Sequence, residues 1–228
     1  MKKDESLIIE KLKKIPHCIG IIYAGSRIEG DFTDTSDYDF TVLLDKGESY
    51  YKTFCYKDLL IDICCATTKV IYKQDFDRDK VANAELSILA HGKIVFDKSG
   101  QIGAVQKKAK KVWALGPKKD TKEAGYLCAM FLHTLNKQNS ELAYYEWTVI
   151  TNKLVKLFFA LHNTWLPKSF QVENKIKELD EDFFKFFDTA YQSDIKNKVN
   201  STKQMIQYLI KKFNLPHTKE ICFPKDEK

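Results

Sequence analysis

Three aspartates are the residues of this sequence most suited to chemistry. Asp37 and Asp39 stand at the head of a predicted strand, and Asp62 lies inside a later apolar run, LLIDICC. Residues two apart on a strand point to the same side, so Asp37 and Asp39 present two carboxylates on one face. Adjacent carboxylates repel each other unless a cation lies between them, and Mg²⁺ prefers oxygen ligands. The pair therefore predicts a site for a divalent cation.

The third carboxylate of this site is a choice between two aspartates. A charge inside an apolar strand is costly unless it is paired or metal-bound, which places Asp62 in the site. Asp58 falls beside Lys57, where a hairpin turn is expected, and we assign it to that turn. Three carboxylates can hold two ions about 3.5–4 Å apart, which activate an attacking oxygen and stabilise a leaving pyrophosphate.

A glycine-bearing polar loop precedes the aspartate pair. Glycine at position 25 lets the backbone approach an anion closely. Backbone N–H groups and the Ser26 hydroxyl can then bind the β- and γ-phosphates of a nucleotide, and Arg27 can add a charge-assisted contact. The loop predicts a triphosphate site next to the metal site.

The spacing from Gly25 to Asp39 reads G-S-x10-D-x-D. It resembles the signature of the polymerase-beta-type nucleotidyltransferase superfamily. The chain is most similar to small bacterial members, namely aminoglycoside and lincosamide nucleotidyltransferases and minimal nucleotidyltransferases. The resemblance implies that Gly25 and Ser26 hold the triphosphate, that Asp37 and Asp39 bind Mg²⁺, and that Asp62 is the third strand carboxylate. The specific resemblance covers about residues 18–97.

The elements that position these residues are predicted from periodicity and turn signals. Strands are expected at Cys18–Ala24, Tyr38–Leu44, Tyr50–Tyr56, Leu59–Cys65 and Lys93–Phe96. A first helix is capped by Asp4 or Ser6 and ends at Pro16, and a second helix is expected over Asp75–Ala90. Further helices are predicted at 101–114, 121–137, 141–164, 173–191 and 201–213, with Ser140 as the N-cap of the third of these.

This pattern predicts an α+β fold. A nucleotidyltransferase head with a small mixed sheet is expected over 1–115, and a helical bundle that serves as a substrate or accessory domain is expected over 116–228. The chain has 228 residues, of which 44% are apolar, and no apolar run is long enough for a transmembrane helix. Six cysteines without a C-x-x-C pair indicate reduced core residues of a cytoplasmic protein.

The expected activity is transfer of a nucleoside monophosphate, AMP from ATP, to a hydroxyl of a small-molecule acceptor, with two Mg²⁺ ions. The net charge of +6 is mild and no nucleic-acid module follows the head, so a nucleic-acid partner is not expected. Two alternatives stay open: an antitoxin-like enzyme that modifies a protein, and a regulator that binds a nucleotide without turnover. The general base also stays open between Glu146, Glu141 and Glu85, as does an oligomeric state.

Overall fold

The computed structural model describes residues 3–30, 32–33, 36–57, 59–69, 76–98, 100–137 and 143–216. The chain divides into two compact units, one formed by Met1–Arg78 with Asn83–Leu115 and the other by Asp79–Ala82 with Gly116–Lys228. The strands of the described residues all belong to the first unit, and the second unit is helical. The catalytic and accessory roles given to 1–115 and 116–228 stay predictions.

A mixed sheet of five strands forms the first unit. The strands are β1 Cys18–Ala24, β2 Tyr38–Leu44, β3 Tyr50–Tyr56, β4 Leu59–Thr67 and β5 Lys93–Asp97. Their order across the sheet is β3-β4-β2-β1-β5. Strands β2 and β4 are parallel, whereas β1 pairs antiparallel with both β2 and β5, and β3 pairs antiparallel with β4. The predicted α+β class, with a small mixed sheet followed by helices, is confirmed.

The two faces of this sheet differ because side chains alternate along each strand. One face is packed against helix α1, Lys3–Leu12, through Ile8, Ile9 and Leu12. The strand residues of that buried cluster include Ile21, Tyr23, Tyr38, Phe40, Val42, Ile61 and Ile63. Asp39 and Asp62 alternate with these residues, so their side chains belong to the opposite face.

The first unit also contains the helices α2 Ser26–Glu29, α3 Ala84–His91 and α4 Gln101–Ala114. Helix α4 packs closely over β1, because a Cβ built on Gly20 would lie 1.6 Å from Cδ1 of Ile102. Gly20 pairs with Leu43 on β2, on the same face as the aspartates. The helices therefore cover the β1 side of that face.

The helix predicted over Asp75–Ala90 is wrong in its first half. Residues 76–83 form turns and bends, and α3 begins only at Ala84. Asn83 is the cause: its side-chain oxygen accepts a hydrogen bond from the Leu86 N–H at 2.9 Å, and its amide donates to the Asp77 carbonyl at 2.8 Å. An N-cap of this kind starts a helix at the next residue. Asp75 lies outside the described residues.

The second unit contains α5 Thr121–Asn136, α6 Ala143–Leu161, α7 Val172–Leu179, α8 Glu181–Gln192 and α9 Ile195–Lys212. The single helix predicted at 173–191 is interrupted at Asp180, which is extended at φ −162° and ψ 92° and caps α8 through the Phe183 N–H. The helix predicted from 201 begins six residues earlier, behind the N-cap Asp194. The predicted N-cap Ser140 lies outside the described residues.

A separate core fills this helical unit, with Leu154, Phe158, Phe183, Ile206 and Leu209 fully buried in it. None of the helices in the described ranges is long and apolar enough to cross a membrane.

Candidate active site

Strand pairing brings the three predicted aspartates together. Asp39 on β2 is directly opposite Asp62 on the parallel strand β4, and Asp37 lies two residues before Asp39, just ahead of β2. Paired residues point to the same side of a sheet. One carboxylate oxygen from each of Asp37, Asp39 and Asp62 lies within 4.8 Å of the other two, and all three residues are half-buried.

This cluster has the chemistry of a divalent-cation site. Three like charges at this spacing repel one another, and a cation between them removes the repulsion. The donors are all carboxylate oxygens, which Mg²⁺ and Ca²⁺ prefer over nitrogen or sulfur. Because Asp39 and Asp62 are paired on two neighbouring strands, the backbone fixes the separation of their Cα atoms.

Gly25 borders the cluster at the end of β1. Its φ of +81° is a conformation that residues with a side chain rarely adopt, and a Cβ built there would lie 1.9 Å from the Asp39 Oδ2. Two constraints therefore favour glycine at this position: the backbone conformation and the close Asp39 carboxylate. Gly25 also precedes the four-residue helix α2, which begins at Ser26.

Arg27 fixes the loop that carries Asp37. Its Nε donates to the carbonyl oxygens of Ser36 at 2.9 Å and Asp37 at 3.1 Å, and its Nη2 donates to the Ser36 carbonyl at 2.5 Å. The guanidinium also lies 4.2 Å from the centroid of the Tyr38 ring. The described geometry thus gives Arg27 a positioning role, and its predicted contact with a phosphate stays a prediction.

Thr53 is a residue of the site that the sequence reasoning missed. It pairs with Asp62 across the β3–β4 hairpin, and its hydroxyl donates a hydrogen bond to the Asp62 Oδ1. Such a bond fixes the rotation of the carboxylate, as an outer partner does for a metal ligand. The sequence contained a signal for this pairing. A two-residue turn predicted at Lys57-Asp58 pairs Tyr56 with Leu59 and therefore, three residues further from the turn, Thr53 with Asp62.

Tyr23 lies on the opposite face of the sheet and is not part of the site. Its ring stacks on Phe40, with the centroids 4.7 Å apart. Burial raises the pKa of Tyr23, and the negative charge of Glu5 raises it further. The hydroxyl is buried without a hydrogen-bond partner in the described part of the chain, so it stays protonated and does not serve as a base.

A cleft opens beside the carboxylates on the same face. Its volume is about 240 Å³, and it is lined by Ala24, Asp39, Phe40, Thr41, Tyr51, Lys52, Thr53, Asp62, Ile63, Cys64 and Ile88. All of these residues belong to the first unit. The cleft follows β2, β4 and β3, and Ile88 of helix α3 is part of its wall.

The predicted candidates for the general base, and the alternative carboxylate Asp58, stay unassigned. Glu85 is exposed in the first turn of α3 and does not line the cleft. Glu146 is in the first turn of α6, in the second unit. Glu141 and Asp58 lie outside the described residues, so the choice of general base and the assignment of Asp58 to a turn stay predictions.

Comparison with known proteins finds similarity among solved structures. No protein-family model matches the sequence, and a search of curated proteins finds no match. Among solved structures, the crystal structure of a nucleotidyltransferase-like protein from Exiguobacterium sibiricum 255-15 is similar to this chain. Its TM-score is 0.51 at 14% sequence identity, and the match covers 92% of this chain and 76% of that chain.

The chain has a nucleotidyltransferase-like fold. At this identity the likeness concerns the fold alone, and the predicted likeness to aminoglycoside, lincosamide or minimal nucleotidyltransferases stays a prediction. In the nucleotidyltransferase-like fold of this chain, the end of β1, the start of β2 and the middle of β4 meet at the three carboxylates.

Proposed function

We propose that the chain is a nucleotidyltransferase that transfers a nucleoside monophosphate, AMP from ATP, to a hydroxyl of a small-molecule acceptor with two Mg²⁺ ions. The observation that carries this proposal is the convergence of Asp37, Asp39 and Asp62 within 4.8 Å beside Gly25. The nucleotidyltransferase-like fold supports it.

The donor set fits the proposed ions. Asp37 and Asp39 would bind the two ions jointly with the substrate phosphates, and Asp62 would be the third carboxylate ligand. Hard divalent cations bind through one or two carboxylates plus phosphate oxygens. When bound, Mg²⁺ supplies Lewis-acid stabilisation of the attacking oxygen and of the leaving pyrophosphate. Thr53 would keep Asp62 in one orientation, and Arg27 would keep Asp37 in place through the loop carbonyls.

The proposed triphosphate site is the turn at the end of β1. Gly25 leaves room beside Asp39 where any side chain would collide with its carboxylate. Backbone N–H groups of the turn and the Ser26 hydroxyl are the donors that would bind the phosphates, with Arg27 as a further candidate.

The reaction balances as an in-line displacement. A bond forms between the acceptor oxygen and the α-phosphorus, while the bridging bond from the α-phosphorus to oxygen breaks. Pyrophosphate leaves with the electron pair, and the hydroxyl proton passes to a general base. Glu85, Glu146 and Glu141 stay the candidates for that base, and no assignment among them enters the proposal.

The proposal is tested by incubating the full chain with Mg²⁺ and each labelled NTP, against small hydroxyl acceptors and protein acceptors. We expect transfer of label from ATP to a small acceptor. Asp62→Asn should lower the rate by at least about a hundredfold, the scale of one lost electrostatic contact in a transition state. Asp58→Asn is the matched control and should be nearly silent. The opposite ranking of the two variants, or no transfer from any NTP, would contradict the proposal.

A further inference from the structure

Arginine is rare in this chain, which otherwise uses lysine for its cations. Of the 37 basic residues, two are arginines, Arg27 and Arg78. Lysine supplies a point charge, which suffices to bind a phosphate, whereas arginine adds a planar fork of donors that also stacks on rings. Both arginines donate to backbone carbonyl oxygens, Arg78 to Leu115 at 3.1 Å and Arg27 to Ser36 and Asp37. Position 27 is therefore one at which the fork itself has a use.

One edge of the Arg27 guanidinium is occupied by the protein. The Nε and Nη2 groups form this edge and contact the Ser36 and Asp37 carbonyl oxygens at 2.5–3.1 Å. The Cζ atom lies 4.2 Å from the centroid of the Tyr38 ring and 5.5 Å from that of Phe32. A bidentate contact with a phosphate through the same edge would require the two carbonyl oxygens to lose their donors.

The segments that Arg27 connects each have hydrogen bonds of their own. In helix α2, which carries Arg27, the Gly30 N–H donates to the Ser26 carbonyl oxygen at 2.9 Å. In the loop before Asp37, the Ser36 hydroxyl accepts from the Thr33 N–H at 2.9 Å, and the Ser36 N–H donates to the Thr33 carbonyl at 3.1 Å. The guanidinium therefore joins two ordered turns.

Tyr38 connects the same loop to the core of the first unit. It is 3% exposed, belongs to the buried cluster of the sheet and stacks on Tyr23 with the ring centroids 6.0 Å apart. Asp37 lies between Ser36 and Tyr38, so the Arg27 fork holds its backbone on one side and a buried residue holds it on the other. A fixed backbone restricts the positions that the Asp37 carboxylate can reach, because side chains occupy few rotamers.

We propose that Arg27 is a positioning residue for metal binding and not a ligand of the triphosphate. Its fork holds the backbone of Asp37, so that this carboxylate is placed against Asp39 and Asp62 before a nucleotide binds. This role rests on the proposed function, because it requires that the three carboxylates bind a cation.

The positioning role and the charge of Arg27 have opposite effects on metal binding. A guanidinium repels an incoming cation, so replacing it by neutral glutamine should strengthen cation binding if charge alone mattered. If the fork positions Asp37, both Arg27→Gln and Arg27→Lys should weaken cation binding, because neither side chain reproduces the planar contact with two carbonyl oxygens and a ring.

Mn²⁺ is the probe, because it takes oxygen ligands as Mg²⁺ does and its EPR signal reports binding without nucleotide or turnover. The full chain and its variants are titrated with Mn²⁺ alone. We expect Arg27→Gln and Arg27→Lys to raise the Kd of Mn²⁺ about tenfold, as loss of an outer partner of a metal ligand does. Arg78→Lys makes the same exchange at the other arginine and should keep the wild-type Kd.

A second pair of variants removes dependence on the folding of the Arg27 variants, which urea unfolding checks. Tyr38→Leu removes the ring beside the guanidinium and should raise the Kd of Mn²⁺ severalfold. Tyr38→Phe is the conservative variant, keeps the ring and should restore the wild-type Kd. Equal Mn²⁺ binding in the two Tyr38 variants would overturn the part of the ring in holding Arg27.

ATP binding tests the excluded role. The Kd of labelled ATP is measured with Mg²⁺ at a concentration that saturates each variant. We expect Arg27→Gln to change this Kd by no more than about twofold. A phosphate ligand would lose a charge-assisted hydrogen bond, which would raise the Kd of ATP about tenfold or more.

The outcomes separate the role of Arg27 from the proposed function. Unchanged or tighter Mn²⁺ binding in both Arg27 variants overturns the positioning role and leaves the proposed function standing. A tenfold rise in the Kd of ATP overturns the exclusion of Arg27 from the triphosphate. Absence of Mn²⁺ binding in the wild type, equal to that of Asp37→Asn, contradicts the metal site, and both the proposed function and the role of Arg27 fail.

Discussion

Carboxylates are used in opposite ways in the two units of this chain. In the first unit, three carboxylates converge on one point, with an oxygen of each within 4.8 Å of the others. In the second unit, donors converge on one carboxylate. The Asp180 side chain, 3% exposed, accepts from the Lys212 ammonium at 2.6 Å, the Tyr208 hydroxyl at 2.9 Å and the Phe183 N–H at 3.0 Å.

The difference separates a structural carboxylate from one suited to a ligand. Burial alone would raise the pKa of Asp180, but the hydrogen bonds from Lys212, Phe183 and Tyr208 outweigh it and lower the pKa below its usual value. The folded protein therefore already stabilises this charge. The cluster of Asp37, Asp39 and Asp62 brings like charges together, an arrangement that a divalent cation stabilises.

The largest expected effect compares one substitution in each region. Asp180→Ala should lower the free energy of unfolding by about 3 kcal/mol, because it leaves the Lys212 charge without its partner and removes the cap of α8. Asp37→Asn removes repulsion within the cluster and should leave that free energy unchanged or slightly higher. Urea unfolding of the two variants and the wild type measures both. Equal destabilisation by the two substitutions would contradict the distinction.

A smaller effect is expected at Thr53, the outer partner of the cluster. Thr53→Val should lower the transfer rate by about tenfold and raise the Mg²⁺ concentration required for half-maximal rate, because losing a partner of a metal ligand typically costs 10–100-fold. Thr53→Ser keeps the hydroxyl and should restore both. Thr189→Val, which removes an exposed helical hydroxyl that bonds the Lys185 carbonyl, is the control. An unchanged Mg²⁺ requirement in Thr53→Val would contradict the role of Thr53 in orienting Asp62 and would leave it a packing role only.

The sequence contains the signals for the cluster because its chemistry is local. The spacing of Asp37 and Asp39 and the apolar surroundings of Asp62 are visible in short segments, and alternation along strands predicts which side chains share a face. The pairing of Asp39 with Asp62 is different, since it depends on β4 lying beside β2 and not beside β1. No short segment specifies that order of strands.

The same distinction explains the errors in the helical unit. Asp180 has a local cap signal, with Glu181 and Asp182 following it, but the apolar period of residues 173–191 continues through it and predicts a single helix. Its partners Tyr208 and Lys212 are 28 and 32 residues away in sequence. Local periodicity contains no information on contacts at that distance. The break at Asp180 is therefore stabilised by tertiary contacts as well as by its local cap on the Phe183 N–H.

The smallest expected effect concerns His162, which faces Asp180 in the second unit. The His162 Nε2 lies 3.7 Å from the Asp180 Oδ2, and its Nδ1 is 2.9 Å from the Phe158 carbonyl oxygen. Burial lowers the pKa of His162 and the positive charges of Lys212 and Lys119 lower it further, whereas the Phe158 carbonyl and Asp180 act in the opposite direction. The imidazole is therefore neutral in the folded protein at neutral pH.

The sign of the pH dependence follows from that lowered pKa. The unfolded chain binds a proton at His162 near the ordinary pKa of about 6.5, while the folded protein binds it only at lower pH. This contribution to stability is present above about pH 6.5 and is lost as the pH falls towards the folded pKa, and a difference of one unit between the two values corresponds to about 1.4 kcal/mol.

Urea unfolding between about pH 7.5 and 5 should show the loss in the wild type and a smaller loss in His162→Gln. His133→Gln changes an exposed histidine of the same unit and should keep the wild-type dependence. If His162→Gln also keeps it, the acid sensitivity arises elsewhere, and Asp180 is stabilised by Lys212, Tyr208 and its cap alone.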